Sequence, residues 1–94
     1  MRLDKLELES INKAIENVNG EVYLFGSRIN DTKKGGDIDI LIFSSENAYK
    51  LSQKVSVKFF MECEEKIDVV VMNKTKLTKE QKAFLNVIKM EKLK

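Results

Sequence analysis

Histidine and proline are absent from this 94-residue chain, cysteine occurs once, at Cys63, and no stretch approaches the length of an apolar span. Without histidine the chain lacks the commonest general base and the commonest zinc ligand. A lone cysteine excludes an internal disulfide and cannot build a thiolate zinc site. Any metal here must therefore be a hard cation held by oxygen. No run reaches the roughly 18 apolar residues of a membrane span, and Met1 to Glu9 has no apolar core of signal-peptide length, so a cytoplasmic protein is expected. A dominant charge is missing too: 17 basic against 15 acidic residues leave +2, and the scattered lysines read as solubility rather than as a nucleic-acid surface. No proline, repeat or low-complexity tract marks a boundary, so residues 1–94 read as a single domain. A chain of this size buries roughly 60–65% of its unfolded surface, enough for a small core.

What is present has clear periodicity. Leu8, Ile11, Ile15 and Val18 recur at helical spacing, Asp4 and Glu7 form a capping-box-like start, and the pattern predicts a helix from Asp4 to Asn17 stopped by Gly20. Val22-Tyr23-Leu24-Phe25 reads as a strand ended by Gly26, and Gly26 to Gly36 as a polar loop. Asp37 to Phe43 is a second strand, with Ile38, Ile40 and Ile42 on one face and Asp37, Asp39, Leu41 and Phe43 on the other. Ser44 or Ser45 can cap a helix through about Glu65, with Ala48, Leu51, Val55, Phe59 and Cys63 as its apolar stripe. Ile67 to Met72 is a third strand, apolar except for Asp68. Thr78 and Gln81 open a last helix that buries Phe84, Leu85, Ile88 and Val87. The order α-β-β-α-β-α implies an α+β fold, a small mixed sheet with helices packed on it.

The chemistry concentrates in the aspartates. Residues two apart in a strand share a face, so Asp37 and Asp39 stand side by side and repel unless a cation lies between them. An isolated Asp-x-Asp is usually a solvated turn former. Asp68 shifts the balance, because a carboxylate within Ile-Asp-Val-Val-Val-Met needs compensation if it is buried. Three aspartates on adjacent strands offer a cup for Mg²⁺ or Mn²⁺, and two such ions could hold the attacking and leaving oxygens of an in-line phosphoryl displacement. Asp37 and Asp39 would bridge the ions; Asp68 would hold the catalytic one and could take the proton of the attacking hydroxyl.

Around them, Gly26-Ser27 lets phosphate oxygens approach backbone N–H groups, unless it is an ordinary strand-ending turn. Arg28 has two readings, a bidentate phosphate clamp or a partner for an acidic neighbour such as Asp31. Lys33 and Lys34 can screen triphosphate charge or be merely solvated, and Gly35 and Gly36 supply backbone freedom. Cys63 reads as a small buried hydrophobe, and Tyr23 and Tyr49 as core-edge residues. Phe59-Phe60-Met61 and Phe84-Leu85 with Val87-Ile88 put apolar bulk on more than one side of a helix, which points to a partner surface.

Leu24-Phe25-Gly26-Ser27-Arg28, then Gly36-Asp37-Ile38-Asp39-Ile40-Leu41-Ile42, then Ile67-Asp68-Val69-Val70 together resemble the minimal nucleotidyltransferases, or MNT domains, of the DNA polymerase β superfamily. The likeness runs from Val22 to Met72, with a gap between Ser27 and Asp37 one residue shorter than in the commonest forms. It implies the polymerase β-like fold, Mg²⁺ at Asp37, Asp39 and Asp68, and the phosphates of ATP or another NTP at Gly26 and Ser27. Many members look like antitoxins encoded beside a HEPN ribonuclease toxin. The resemblance therefore implies a protein partner of that type, neutralised by binding, by AMP transfer to a tyrosine, or by both. Two functions are carried forward: an Mg²⁺-dependent transferase acting on a partner's hydroxyl, and a binding module that docks through its exposed apolar helices around Phe84 and Ile88. A polymerase-like activity on RNA ends is the weaker third, since the charge balance argues against nucleic acid as a direct ligand.

Overall fold

The computed structural model describes residues 1–30 and 36–94. Asp4 opens α1 (Lys5–Ile15) with the expected capping box: its carboxylate accepts from the Glu7 N–H at 2.7 Å, and the Glu7 carboxylate accepts from the Asp4 N–H at 3.0 Å. The buried face is turned from the expected one. It carries Glu7, Ser10, Ile11, Ala14 and Ile15, while Leu8 is 37% exposed. Neighbouring helical residues lie about 100° apart, so once Glu7 is drawn inward by a partner described below, Leu8 moves to the rim. Lys94 closes the far end, its ammonium donating to the carbonyls of Ile15, Glu16 and Val18.

Four strands form one mixed sheet in the order β3-β2-β1-β4, with β1 Glu21–Phe25, β2 Ile38–Phe43, β3 Ile67–Met72 and β4 Met90–Lys92. β1 is antiparallel to β2 and β4, and β2 is parallel to β3. This is the α+β architecture that the element order implies. The short β4 was not expected: Met-Glu-Lys has no alternation of its own and becomes a strand by pairing with β1, Phe25 opposite Met90. The polar loop expected after β1 begins as a single 3₁₀ turn, Gly26–Ile29; Asp31, Lys33, Lys34 and Gly35 lie outside the described residues.

β2 separates two apolar layers. Ile38, Ile40 and Ile42 join Val22 and Leu24 under α1 and α2 (Ala48–Cys63). Leu41 and Phe43 join Phe25 and Met72 under α3 (Lys79–Val87). Asn47, not Ser44 or Ser45, caps α2, accepting from the Lys50 N–H at 3.0 Å. Ser44 is occupied otherwise: its N–H donates to Met72, prolonging the β2–β3 ladder, and its hydroxyl accepts from Glu46. α2 buries Leu51, Val55 and Phe59, spans the crossover between the parallel strands, and ends at Cys63 because Glu64 turns left-handed at φ 58°. The Thr78/Gln81 capping box opens α3 as expected, but only Phe84 and Leu85 of α3 turn toward the sheet, and Val87 is exposed. Of the two tyrosines, Tyr23 stands edge-on to Phe43 with ring centroids 5.8 Å apart, whereas Tyr49 is 73% exposed on α2. Among the described residues no helix is long and apolar enough to cross a membrane.

Phe59 is fully buried between α2 and the sheet, so Phe59→Ala is expected to cost about 3–5 kcal/mol in urea unfolding. Tyr49→Ala, at the opposite extreme of exposure, should stay within about 0.5 kcal/mol of wild type.

Candidate active site

Strand direction brings three chain segments to one end of the sheet. β1 ends where the antiparallel β2 begins, and β3, parallel to β2, begins at the same edge. The register sets Phe25 opposite Asp39 and Asp39 opposite Asp68. Adjacent strands lie about 4.8 Å apart, so Asp39 and Asp68 are immediate neighbours on the face that also carries Phe25, Leu41 and Val70. Asp37 is exposed and precedes β2 by one residue.

The turn after β1 closes against these carboxylates. Gly26 has φ +78°, and a Cβ there would run into the Asp39 carboxylate; Gly36 has φ +90°, and a Cβ there would run into the Ser27 hydroxyl. Only glycine permits both the backbone conformation and the approach. Gly26, Ser27, Asp37, Asp39 and Asp68 are thus assembled at one end of the sheet. Phe84 of α3 packs edge-on against Phe25 with centroids 5.6 Å apart, forming the apolar wall beside them.

Asp39 is half-buried. Burial pushes its carboxyl above the ordinary value, and the charges of Asp68 and then Asp37 push it further in the same direction. Asp68 is exposed, so the compensation argued for a buried carboxylate belongs to Asp39 instead. No lysine or arginine among the described residues forms a salt bridge to any of the three aspartates. Nor, among the described residues, do three acid or cysteine side chains converge tightly enough to hold an ion as they stand. The donor set itself, all carboxylate oxygen with like charges uncompensated, fits a hard divalent cation.

Arg28 does not face this cluster. Its guanidinium Nη1 donates to Glu7 Oε1 at 2.9 Å and to the Arg2 carbonyl at 3.1 Å, with both Arg28 and Glu7 side chains largely buried. The acidic-partner reading of Arg28 is the one the geometry supports, with Glu7 as the partner. Burial pushes the Glu7 carboxyl upward, but hydrogen bonds from Arg28, the Asp4 N–H and the Glu65 carboxyl outweigh it and hold Glu7 below its ordinary value. Glu65 is in turn pushed above its ordinary value, by burial first and then by its hydrogen bond to Glu7 and the Glu7 charge. Glu7 carried no functional signal in the sequence beyond its cap position.

A groove of about 420 Å³ opens beside Asp68, lined by Gln53, Ser56, Val57, Phe60, Lys66 and Ile67. Lys66 is a second residue that sequence reasoning passed over, since its position beside the groove depends on how α2 returns to β3.

The family model for Polymerase beta, Nucleotidyltransferase matches residues 7–91, from the first turn of α1 into β4. The chain belongs to that family. No curated protein matches the chain at a significant level. As a nucleotidyltransferase-family domain it carries the general activity of nucleotidyl transfer. The match starts at Glu7 itself, so the buried partner of Arg28 lies within the family region.

The strain at Asp39 has a measurable sign. Because its folded-state pKa is raised, the stability linked to Asp39 is fully present below the unfolded value near 3.8 and is lost as pH rises through the raised one. Asp39→Asn is therefore expected to melt above wild type at about pH 7 without divalent ions, and level with it at about pH 3. Millimolar Mg²⁺ should raise the melting temperature of wild type and leave Asp39→Asn unmoved. Equal melting at both pH values, with no response to Mg²⁺, contradicts this account of the site.

Proposed function

We propose that the chain is an Mg²⁺-dependent nucleotidyltransferase that moves AMP from ATP to a hydroxyl of a partner protein in the cytoplasm, as the antitoxin of a HEPN-type ribonuclease toxin. The observation that supports it most is the register of Asp39 beside Asp68, with Gly26 packed on Asp39. The acceptor hydroxyl oxygen attacks the α-phosphorus, the bond from that phosphorus to the bridging oxygen of the β-phosphate breaks, and pyrophosphate departs. Asp37, Asp39 and Asp68 would hold two Mg²⁺ ions, which when bound offset the phosphate charge and polarise the reacting oxygens. Asp68, exposed like Asp37, is accessible to receive the hydroxyl proton. Gly26 and Ser27 let the phosphates approach the backbone, and the half-buried Asp39 fixes the floor. A protein acceptor fits a chain whose net charge of +2 supplies no basic track for nucleic acid.

One observation favours a second reading, a binding module that silences its partner with little or no catalysis. α2 exposes Val57 and Phe60 in the groove at Asp68 and Met61 in a shallow depression adjoining it, with Met61 78% exposed. This surface replaces the one anticipated around Phe84 and Ile88, which pack against the sheet.

Transfer of label from α-phosphate-labelled ATP with Mg²⁺ in a lysate of the native host separates the readings. One labelled protein is expected with wild type. Asp37→Asn and Asp39→Asn should each lower that transfer by on the order of 10²–10³-fold or more, the loss of several kcal/mol of charge stabilisation. Labelled RNA instead of protein points to a polymerase-like activity. Under the second reading, toxin neutralisation survives Asp37→Asn and fails in Phe60→Asp with Met61→Asp.

A further inference from the structure

The guanidinium of Arg28 joins three parts of the chain that the reaction needs in fixed relation. Arg28 sits in the 3₁₀ turn immediately after Gly26 and Ser27. Its Nε donates to the carbonyl of Gly36 at 3.0 Å, the peptide unit directly before Asp37. Its Nη1 donates to Glu7 Oε1, the oxygen that also accepts the Asp4 N–H of the α1 capping box. The N-terminal segment braces the same turn: the Arg2 N–H donates to the Arg28 carbonyl at 2.6 Å, and the Arg2 guanidinium donates to the carbonyls of Ser27 and Asn30. On the other side of the turn the Ser27 hydroxyl lies against Gly36.

We infer that Arg28 and Glu7 are positioning residues: together they clip the Gly26-Ser27 phosphate turn to the backbone entering Asp37, so that turn and carboxylates keep one spacing. The inference rests on the nucleotidyltransferase reading above. The physical case is geometric. A planar guanidinium serves Gly36 and Glu7 from two nitrogens, Nε and Nη1, held at a fixed spacing and direction, whereas an ammonium offers one nitrogen with freely rotating donors. Glu7 holds that fork in place at the end of a capped helix, and the burial of the Arg28–Glu7 contact keeps water from replacing it. The helix cap and the active-site clip share one carboxylate oxygen.

Two substitutions probe the clip while sparing the fold. Arg28→Lys keeps the charge opposite Glu7 but loses the fork; Glu7→Gln keeps the acceptor that the capping box needs but loses the charge. Arg28→Ala would strand a buried carboxylate and confound the result. Binding of a fluorescent ATP analogue with Mg²⁺ is measured well below each melting temperature. Each single variant is expected to bind about tenfold more weakly, and the double variant no more than about tenfold, because both break one device. If Arg28 touched phosphate directly, Arg28→Lys would lose affinity while Glu7→Gln kept or tightened it, and the inference would be overturned.

A readout independent of nucleotide accompanies this. The Arg28 Nε–H resonance is expected to be protected from solvent exchange in wild type and to lose protection in Glu7→Gln. A wild type without that protection overturns the clip itself. A protected wild type that binds no nucleotide overturns the nucleotidyltransferase reading, and the positioning role falls with it.

Discussion

The parallel pairing of β2 with β3, which stands Asp39 beside Asp68, is the constraint from which the rest of the functional end follows. Parallel neighbours need a long crossover, and α2 supplies it by burying Leu51, Val55 and Phe59 against the isoleucines of β2. Side chains alternate along a strand, so a slip of one residue would send Asp39 into the layer under α1 and α2 and bring an isoleucine to the site. Burying Ile38, Ile40 and Ile42 therefore does two things at once. It forms the core, and it forces the aspartates onto the opposite face, at the end that α3 leaves open.

Like charges held in that register work against the fold. Asp39 is half-buried with two carboxylates near it and no cation among the described residues to pair with, so the site is where the molecule stores electrostatic strain. The other buried charge is treated in the opposite way. Glu7 meets Arg28 directly, receives the Asp4 N–H as well, and stays below its ordinary pKa. One carboxylate is satisfied by protein and the other is left for a ligand, and nine residues, 29–37, separate Arg28 from the strand that carries Asp39.

Much of this was readable from the chain. The Asp4/Glu7 and Thr78/Gln81 capping boxes, the alternation of Asp37 to Phe43, and the Leu51, Val55, Phe59 stripe all carry local periodicity, and all appear in the fold. Gly26, Ser27, Asp37, Asp39 and Asp68 were likewise marked by type and spacing, and the sheet gathers them at one end. What failed to show had no local signal. β4 exists because β1 offers a free edge to Met90–Lys92, and Asn47 caps α2 because Ser44 is already tied to Met72. The inward turn of Glu7, the exposure of Leu8 and the occupation of Arg28 all hang on a contact spanning 21 residues, which no window of periodicity contains.

The sequence by itself determined which residues could do chemistry, because an all-oxygen donor set in a chain without histidine leaves little else, and it determined which faces are apolar, because period is written residue by residue. Only the tertiary structure decided which aspartate is buried, where Arg28 points, and which helix leaves an apolar stripe uncovered. Those outcomes depend on strand order and on pairings between distant segments, and the free energy of a charge or an apolar surface is set by whatever the fold brings beside it.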